Sequence, residues 1–415
     1  MKVYKFGGAS VQNEKNVRAI LKVLNQTGYK STIIVVSAMG KTTNALEDVI
    51  QAYFQNNDTY KLLIDRIEEE HLEIVKKLFS NYTEVYNDIK NIFKNLRSLL
   101  INNTSDNFNF LYDQTVSFGE IISSRILSSF LNYSGITNTW IDSRNYLKTD
   151  DNYREGTIDW ERTQKQFENF DTSQTYVTQG FIASNSGNFT VTLGREGSDY
   201  SAAIIAYCLH AEGVTIWKDV PGIMTGDPDY YENAQLLKSL SYEEAMDMSF
   251  FGASILHPKT IFPLYKGEIP LNIRSFLELE NHGTYITKGV KGDPSVSCFI
   301  RKLNVHLLTI SSIYFTYNLE DTLCILFKQL TELNIKTNMI KVSACSVSLV
   351  IEDKFNSINI LLNILANSFN VTLEENVRLF TITNSSQKIR NNFKKGKTVL
   401  LEQLVKQTYQ AIVKE

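Results

Sequence analysis

Short, continuously apolar segments alternate with helix-forming segments up to about residue 290, and this alternation constrains the fold most. Thr32–Ser37 (TIIVVS) is apolar almost throughout, as expected of a strand buried on both faces of a parallel sheet. The segments TYVTQGFIA and GVTIWKDV have the same character, and segments of helical periodicity separate them. The sequence therefore predicts an α/β fold in which helices cover both faces of a doubly wound, mainly parallel sheet.

A second pattern begins after Gly292-Asp293-Pro294, a turn-forming triplet that we take as the end of the first domain. The segments that follow alternate as β-α-β-β-α-β, the ferredoxin-like order of an α+β domain. Beyond them come a strand (RLFTIT), a basic run (KKGK) interpreted as a solvated hairpin turn, and two further strands. We expect a first domain at 1–292, a ferredoxin-like unit at 300–376 and an incomplete second unit at 377–415.

Composition narrows the class of protein. The chain has 415 residues, 43% hydrophobic and 21% charged, and a formal net charge of -3, which argues against a general nucleic-acid or membrane-surface binder. The four cysteines are widely spaced and include no C-x-x-C pair, as expected of reduced thiols. No apolar stretch of the sequence is long enough to span a membrane. We expect a cytoplasmic protein without a metal site, and interpret His71, within the charged segment RIEEEHLEIVKKL, as a surface histidine.

The first strand ends in the glycine-rich stretch KFGGAS. Lys5 precedes Gly7 and Gly8, and Ser10 is expected to cap the first helix. Exposed backbone N–H groups, a helix N-terminus and one cation together favour an anion such as phosphate. The alternative is that the glycines only reverse the chain.

Four more small, polar, glycine-rich stretches are interpreted as the ends of apolar strands: SAMGKTTN, SFGE, TLGREGSDYSAA and WKDVPGIMTGDP. Because ligands bind at the carboxyl ends of strands in such sheets, these stretches suggest one shared crevice. In the third, Ser198 and Asp199 suit a helix start, which needs no ligand, but the nearby Arg195 suits a carboxylate ligand. In the fourth, Asp219 ends a strand and either lines a nucleotide site or belongs to a tight loop.

Together with TQGF and FGASILHP, these stretches resemble, in order and spacing, the aspartate kinases of the amino-acid kinase superfamily. The resemblance runs from Met1 to about residue 290, and the later β-α-β-β-α-β unit resembles the ACT regulatory region of those enzymes. It implies an amino-acid-kinase-like sheet between helices, followed by a ferredoxin-like ACT domain. It also implies a homodimer with an amino-acid effector at the ACT unit, where Asn338 stands near the position of an effector-binding acidic residue.

The resemblance also implies roles for individual residues. Lys5 is expected to contact the transferring phosphoryl group. Asp199 is expected to orient the Lys5 side chain. For the aspartate substrate, Thr43 is expected near its carboxylate region and Glu120 near its amino group. The other residues expected in this substrate pocket are Phe181, Arg195 and Ser198.

The nucleotide site implied by the resemblance takes its ligands from both ends of the kinase region. The residues expected to bind ATP are Lys5, Gly7, Gly8, Ser10, Lys218, Asp219, Met224 and Asp227. Ser254 stands where many members have a nucleotide-contacting lysine. Lys218 and Lys259 are the candidates to compensate, and without a substitute a lower affinity for ATP is expected. Glu196 stands where glycine is frequent, and it either tunes the pocket or faces solvent.

These residues suit phosphoryl transfer to a carboxylate. That nucleophile is already ionised at about pH 7, so the protein must supply alignment and positive charge rather than a general base. The expected cofactors are ATP and Mg²⁺, and His257 is interpreted as structural.

The leading hypothesis is ATP-dependent phosphorylation of L-aspartate to 4-phospho-L-aspartate, the first step toward lysine, threonine and methionine. Two alternatives remain. One is a related kinase that acts on glutamate or acetylglutamate, and the other is a non-catalytic amino-acid sensor built on the ACT unit.

Overall fold

The computed structural model describes residues 1–253, 256–290, 292–312, 319–353 and 356–414. The chain divides into two compact units. The first unit comprises Met1–Ile223, Leu236–Met246 and Ile255–Pro294, and the second comprises Met224–Gln235, Asp247–Ser254 and Ser295–Glu415. Ser254, expected in place of a nucleotide-contacting lysine, lies outside the described residues.

The first unit is built on an eight-stranded sheet with the order β3-β4-β2-β1-β7-β9-β10-β8. All neighbouring strands are parallel except β9 and β10, and β5 and β6 form a separate hairpin. The strands are β1 (Lys2–Phe6), β2 (Thr32–Val36), β3 (Thr139–Trp140), β4 (Tyr176–Gln179), β5 (Ile182–Ser184), β6 (Thr190–Thr192), β7 (Gly213–Lys218), β8 (Ser239–Ser241), β9 (Leu271–Ser275) and β10 (Thr284–Thr287).

Helices flank this sheet. They are α1 (Glu14–Thr27), α2 (Thr42–Phe54), α3 (Thr59–Leu78), α4 (Thr83–Ile101), α5 (Phe108–Tyr133), α6 (Trp160–Phe167), α7 (Gly197–Cys208), α8 (Tyr242–Phe251), which extends into the second unit, and α9 (Pro258–Gly267). Tyr4 and Phe6 on β1 belong to one core cluster with side chains of α1 to α5. Lys5 points to the opposite face, where it meets α7. The predicted α/β class and mainly parallel sheet are confirmed.

Helix starts differ from the sequence prediction. Asn13, not Ser10, caps α1, and its side chain accepts a hydrogen bond from the Asn16 N–H. Ser10 instead lies in a short 3-10 turn over Gly8–Val11. At α7 the N-cap is Glu196 in a left-handed conformation without a side-chain cap, so the prediction that Ser198 caps this helix was wrong.

His71 is buried, which contradicts its interpretation as a surface histidine. It is 2% exposed on α3, its Nδ1 donates to the Ile67 carbonyl at 2.7 Å, and its Nε2 lies 3.3 Å from Thr42 Oγ1. Burial lowers its pKa, so the neutral ring is favoured. The charged neighbours in sequence face outward, while His71 packs between α2 and α4.

The second unit contains a six-stranded sheet with the order β12-β13-β11-β14-β16-β15, in which all neighbours are antiparallel. Its elements are β11 (Cys298–Ser312), α10 (Leu319–Glu332), β12 (Lys336–Val342), β13 (Ser346–Glu352), α11 (Ile358–Leu365), β14 (Phe369–Thr383), α12 (Gln387–Lys394), β15 (Thr398–Val405) and β16 (Thr408–Lys414). The strands β12-β13-β11-β14 with α10 and α11 form the predicted ferredoxin-like arrangement.

Two long strands extend this sheet beyond the ferredoxin-like part. The start of β11, Cys298–Lys302, pairs with the end of β14, and β16 and β15 follow. RLFTIT is therefore part of β14 rather than a separate strand. The KKGK run ends α12, a helix that the sequence did not predict, and the hairpin turn falls instead between β15 and β16.

Candidate active site

A cavity of about 300 Å³ opens in the first unit at the carboxyl ends of β1, β2, β4 and β7. The glycine-rich stretches that follow these strands form its walls, together with α5 and the start of α7. The residues lining it are Lys5, Gly8, Ser37, Ala38, Gly40, Thr43, Glu120, Phe181, Gly194, Glu196, Gly197, Ser198, Asp199 and Lys218.

Two lysines hold one buried carboxylate in this cavity. Lys5 Nζ lies 2.5 Å from Asp199 Oδ1, and Lys218 Nζ lies 3.7 Å from Asp199 Oδ2. Burial alone would raise the pKa of Asp199, but the two ammonium groups outweigh that effect and lower it. Asp199 is therefore an anion that fixes both cations.

Sheet register explains why the two lysines meet. Lys5 on β1 pairs with Ile216 on β7, and Lys218 follows two residues later on the same strand. Because side chains alternate along a strand, Lys5 and Lys218 point to one face of the sheet. Asp199, in the first turn of α7, meets them on that face.

Glu120 supplies a different kind of group. It is 2% exposed, and its Oε1 accepts a hydrogen bond from the Ala38 N–H at 3.2 Å. Its Oε2 has no hydrogen-bond partner among the residues that the structure describes. Burial raises the pKa of Glu120 to about 8, although the Ala38 hydrogen bond opposes the rise. The carboxyl group is thus mostly protonated near neutral pH.

Close backbone contacts bring the walls together. A Cβ on Gly8 would lie 2.9 Å from the Gly40 carbonyl oxygen, and one on Gly119 would lie 2.9 Å from the Ala38 Cβ. The first and second glycine-rich stretches, and α5 with the second stretch, can therefore touch only where these residues lack side chains.

Eight of the expected site residues line this one cavity: Lys5, Gly8, Thr43, Glu120, Phe181, Ser198, Asp199 and Lys218. Glu196 lines it as well, with its Oε2 buried. Burial raises the pKa of Glu196, and the Lys218 ammonium opposes that rise. Of its two expected orientations, the structure shows the one toward the pocket.

Other expected residues lie outside the lining. Gly7 is adjacent, since a Cβ there would be 3.4 Å from Lys5 Nζ. Ser10 is buried, and its hydroxyl donates to the Trp217 carbonyl at 3.4 Å. Arg195 and Asp219 are exposed.

The remaining expectations concern residues farther along the chain. Met224 and Asp227 belong to the second unit, where Asp227 Oδ2 lies 3.4 Å from Arg301 Nη2. Lys259 is exposed at the start of α9, and His257 caps that helix by accepting from the Lys259 N–H, as expected of a structural residue.

Asp113 supports the site, and sequence reasoning missed it. It is fully buried on α5, seven residues before Glu120, about two helical turns away. Its Oδ2 accepts from the Arg154 and Thr192 N–H groups, both at 2.9 Å, and its Oδ1 accepts from Thr192 Oγ1 at 2.7 Å. It therefore fixes β6, which leads into the Gly194–Asp199 wall. The available signal was its helical spacing from Glu120.

The fold and the cavity define a class of α/β proteins that carry a polar cavity, lined by two lysines, at the carboxyl ends of parallel strands. Comparison with known families matches residues 1–275 to the amino acid kinase family. The chain belongs to the amino acid kinase family, and within it to the aspartokinases. The resemblance seen in the motifs is thereby confirmed.

Curated relatives differ in how much of their length the chain covers. Lysine-sensitive aspartokinase 3 of Escherichia coli is 30% identical over 356 residues, covering 84% of this chain and 78% of the relative. The chloroplastic bifunctional aspartokinase/homoserine dehydrogenase 2 of Zea mays is 34% identical over 301 residues, covering 69% of this chain and 32% of the relative. The chain thus spans about a third of the length of such bifunctional relatives.

Solved structures share the fold. The crystal structure of Escherichia coli aspartokinase III in complex with aspartate and ADP has a TM-score of 0.86 at 24% identity and covers 100% of this chain and 96% of its own. The crystal structure of the same enzyme in complex with lysine and aspartate has a TM-score of 0.81 at 24% identity. It covers 100% of this chain and 95% of its own. Within the ranges that the structure describes, no helix is both long and apolar enough to cross a membrane.

Proposed function

We propose that this chain transfers the γ-phosphoryl group of ATP to the side-chain carboxylate of L-aspartate, forming 4-phospho-L-aspartate, the first step toward lysine, threonine and methionine. The observation that carries the proposal is the convergence of Lys5, Asp199 and Lys218 with Glu120 in one cavity. Membership of the aspartokinases supports the choice of substrate.

The charges of the cavity suit this chemistry. The attacking carboxylate is ionised near neutral pH, and no general base is required. Lys5, held by Asp199, offers a fixed positive charge where negative charge develops on the phosphoryl group. Gly7, Gly8 and Ser10 are proposed to contribute backbone or hydroxyl donors to the phosphates. Such preorganised groups need no rearrangement during the reaction.

Glu120 is proposed to receive the α-ammonium group of aspartate. A buried carboxyl group with an oxygen that has no hydrogen-bond partner among the described residues is well suited to a cation that arrives with the substrate. This favours a free amino acid over an N-acetylated one, whose amide carries no charge. Arg195 is proposed to bind the α-carboxylate, with Thr43, Phe181 and Ser198 around it.

Magnesium is proposed to enter with the nucleotide, bound to its phosphates, and to neutralise part of their charge. Among the residues that the structure describes, no group of three or more histidine, cysteine or carboxylate side chains is placed to hold a metal ion. Magnesium is thus proposed to be part of the nucleotide substrate rather than a resident ion of the protein. Further proposed nucleotide contacts come from Lys218, Asp219, Met224 and Asp227.

The regulatory assignment is also a proposal. Residues 1–292 are proposed as the catalytic domain, 300–376 as an ACT unit and 377–415 as a second, incomplete unit, whose sheet the strand Cys298–Lys302 extends. An amino-acid effector and a homodimer are proposed, and the name of the lysine-sensitive relative supports the effector. A cytoplasmic location is also proposed, because the four cysteines are widely spaced and include no C-x-x-C pair, as expected of reduced thiols.

Hydroxylamine trapping tests the activity. Purified protein with magnesium-bound ATP is offered aspartate, glutamate or N-acetylglutamate, and the acyl phosphate is measured as its hydroxamate. We expect product with aspartate and its loss in Lys5→Ala, whereas Lys2→Ala, an exposed position on the same strand, retains activity. No hydroxamate at saturating ATP and aspartate would refute the proposal and favour a non-catalytic sensor. Product with another acceptor alone would assign that substrate.

A further inference from the structure

Lys218 ends β7 beside the Lys5–Asp199 pair, where a second cation is not required to neutralise Asp199. Lys5 Nζ already contacts Asp199 at 2.5 Å, while Lys218 Nζ lies 3.7 Å from the other oxygen. The Lys218 side chain is also the more accessible of the two, at 20% against 9%. The Lys218 side chain thus forms an ion pair with Asp199 and also lines the cavity.

The cavity presents its charges on two sides. Lys5 and Lys218 share one face of the sheet with the start of α7, so both ammonium groups converge on one position through Asp199. Glu196 also faces Lys218 from the N-cap of α7. Glu120 enters separately from α5 and contacts the Ala38 N–H. A polyanion is therefore best accommodated between the two lysines.

We propose that Lys218 is a catalytic residue that contacts the transferring phosphoryl group together with Lys5. This inference rests on the proposed function. In the step, an oxygen of the aspartate side chain forms a bond to the γ-phosphorus, and the bond from that phosphorus to the ADP oxygen breaks. The electron pair leaves with ADP, and no proton is transferred. The two ammonium groups stabilise the charge on the equatorial oxygens.

The position of Lys218 decides between the two candidate lysines. Lys218 lines the cavity that contains Lys5 and Asp199. Lys259 does not line it, and its side chain is exposed at the start of α9. Lys218 is therefore the lysine of the pair that the geometry assigns to the reaction.

Steady-state kinetics of the full chain test this assignment. In Lys218→Met, which keeps an unbranched side chain but removes the charged terminal atom, we expect kcat to fall at least about 100-fold, with the KM for aspartate changed less than about threefold. In Lys218→Arg, which keeps the charge, the fold decrease in kcat is expected to be less than a tenth of that in Lys218→Met. Lys238→Ala, an exposed lysine outside the cavity, is the matched control.

A binding measurement separates catalysis from nucleotide affinity. ADP is titrated into each variant in the presence of magnesium and aspartate, with and without aluminium fluoride as a mimic of the transferring group. We expect Lys218→Met to weaken binding of the fluoride complex by at least about tenfold more than that of ADP alone. Equal losses in the two titrations would overturn the proposal even if this variant were too unstable for kinetics.

Other outcomes also decide. A kcat within about threefold of wild type in folded Lys218→Met would overturn the role of Lys218, as would a large loss of kcat in Lys259→Ala instead. In either case, activity of the wild-type protein would leave the proposed function intact. Equal loss in Lys218→Arg and Lys218→Met would show that charge is not what Lys218 supplies. An inactive wild-type protein would remove the proposed function and this inference together.

Discussion

Glu120 is expected to release a proton when aspartate binds. Its carboxyl group is buried, and its Oε2 has no hydrogen-bond partner within the described part of the chain. Burial raises its pKa from 4.5 to about 8. An arriving ammonium group favours the ionised form, so binding and deprotonation are coupled.

The size of the effect follows from that pKa. With a pKa of about 8, roughly nine in ten Glu120 side chains carry a proton at pH 7 and about half at pH 8. Binding should therefore release about 0.9 proton at pH 7 and about 0.5 at pH 8. Because protons compete with the substrate ammonium, affinity for aspartate should fall by up to about tenfold for each pH unit below 8.

Isothermal titration calorimetry measures this release directly. Aspartate is titrated between about pH 6 and pH 9 in pairs of buffers with different ionisation enthalpies, whose difference in heat gives the protons released. Glu120→Gln should abolish the release. Glu73→Gln, at a half-exposed position on α3, is the matched control. Proton release that persists in Glu120→Gln, or is absent in wild type at pH 7, would refute the reasoning.

The same pKa has a consequence for stability. Because the folded-state pKa lies above the unfolded value, ionising Glu120 opposes folding. Its contribution to the free energy of unfolding is therefore lost as pH rises from about 4.5 to about 8, by an amount on the order of 5 kcal/mol. All three tryptophans lie in the first unit, so tryptophan fluorescence during urea unfolding reports on it. Wild type should lose stability relative to Glu120→Gln over this range, whereas a constant difference would contradict the burial argument.

Two further predictions concern the walls of the cavity. Asp113→Asn should destabilise the protein by about 1–3 kcal/mol and raise the KM for aspartate. The reason is that an amide cannot accept all three hydrogen bonds from Arg154 and Thr192. An unchanged midpoint of urea unfolding and an unchanged KM would contradict this prediction. Gly8→Ala should cost about 1–3 kcal/mol, because its Cβ would lie 2.9 Å from a backbone oxygen, whereas Gly7→Ala, with its nearest atom at 3.4 Å, should not lower the thermal midpoint. Equal midpoints in both glycine variants would show that the contact relaxes freely.

The fold was largely predictable where one strong local signal decided it. Continuous apolar runs such as Thr32–Ser37 indicated buried parallel strands, and the β-α-β-β-α-β order indicated the ferredoxin-like part. Weaker signals failed. α12 has an almost entirely polar sequence in which only Ile389 and Phe393 supply apolar contacts, so periodicity did not reveal it.

Helix ends and burial depend on contacts that sequence spacing does not show. Ser10 and Ser198 are both good capping residues, yet Asn13 and Glu196 occupy the caps because the glycine turns place the helix starts elsewhere. His71 stands among charged residues, but packing of α3 against its neighbours buries it. In each case tertiary structure outweighs a local preference.

The site was predictable where motifs carried it. Lys5, Glu120 and Asp199 come from three stretches whose spacing resembles a known family, and they share one cavity. Asp113 was missed because its role requires knowing that β6 lies beside α5. The choice between Lys218 and Lys259 needed the register of β1 with β7, which a single sequence does not reveal.

The charges of the cavity suit the proposed binding of a polyanion and an amino acid in one small site. Two ammonium groups close together would repel each other in a buried cavity, but Asp199 lies between Lys5 and Lys218 and fixes both. Glu120, by contrast, is kept neutral by burial until a cation arrives. A neutral Asp199 would remove the negative charge that holds the two ammonium groups together. Under the proposed function, the opposite pKa shifts of these two carboxyl groups leave the lysine ammonium groups to the nucleotide phosphates and Glu120 to the substrate ammonium.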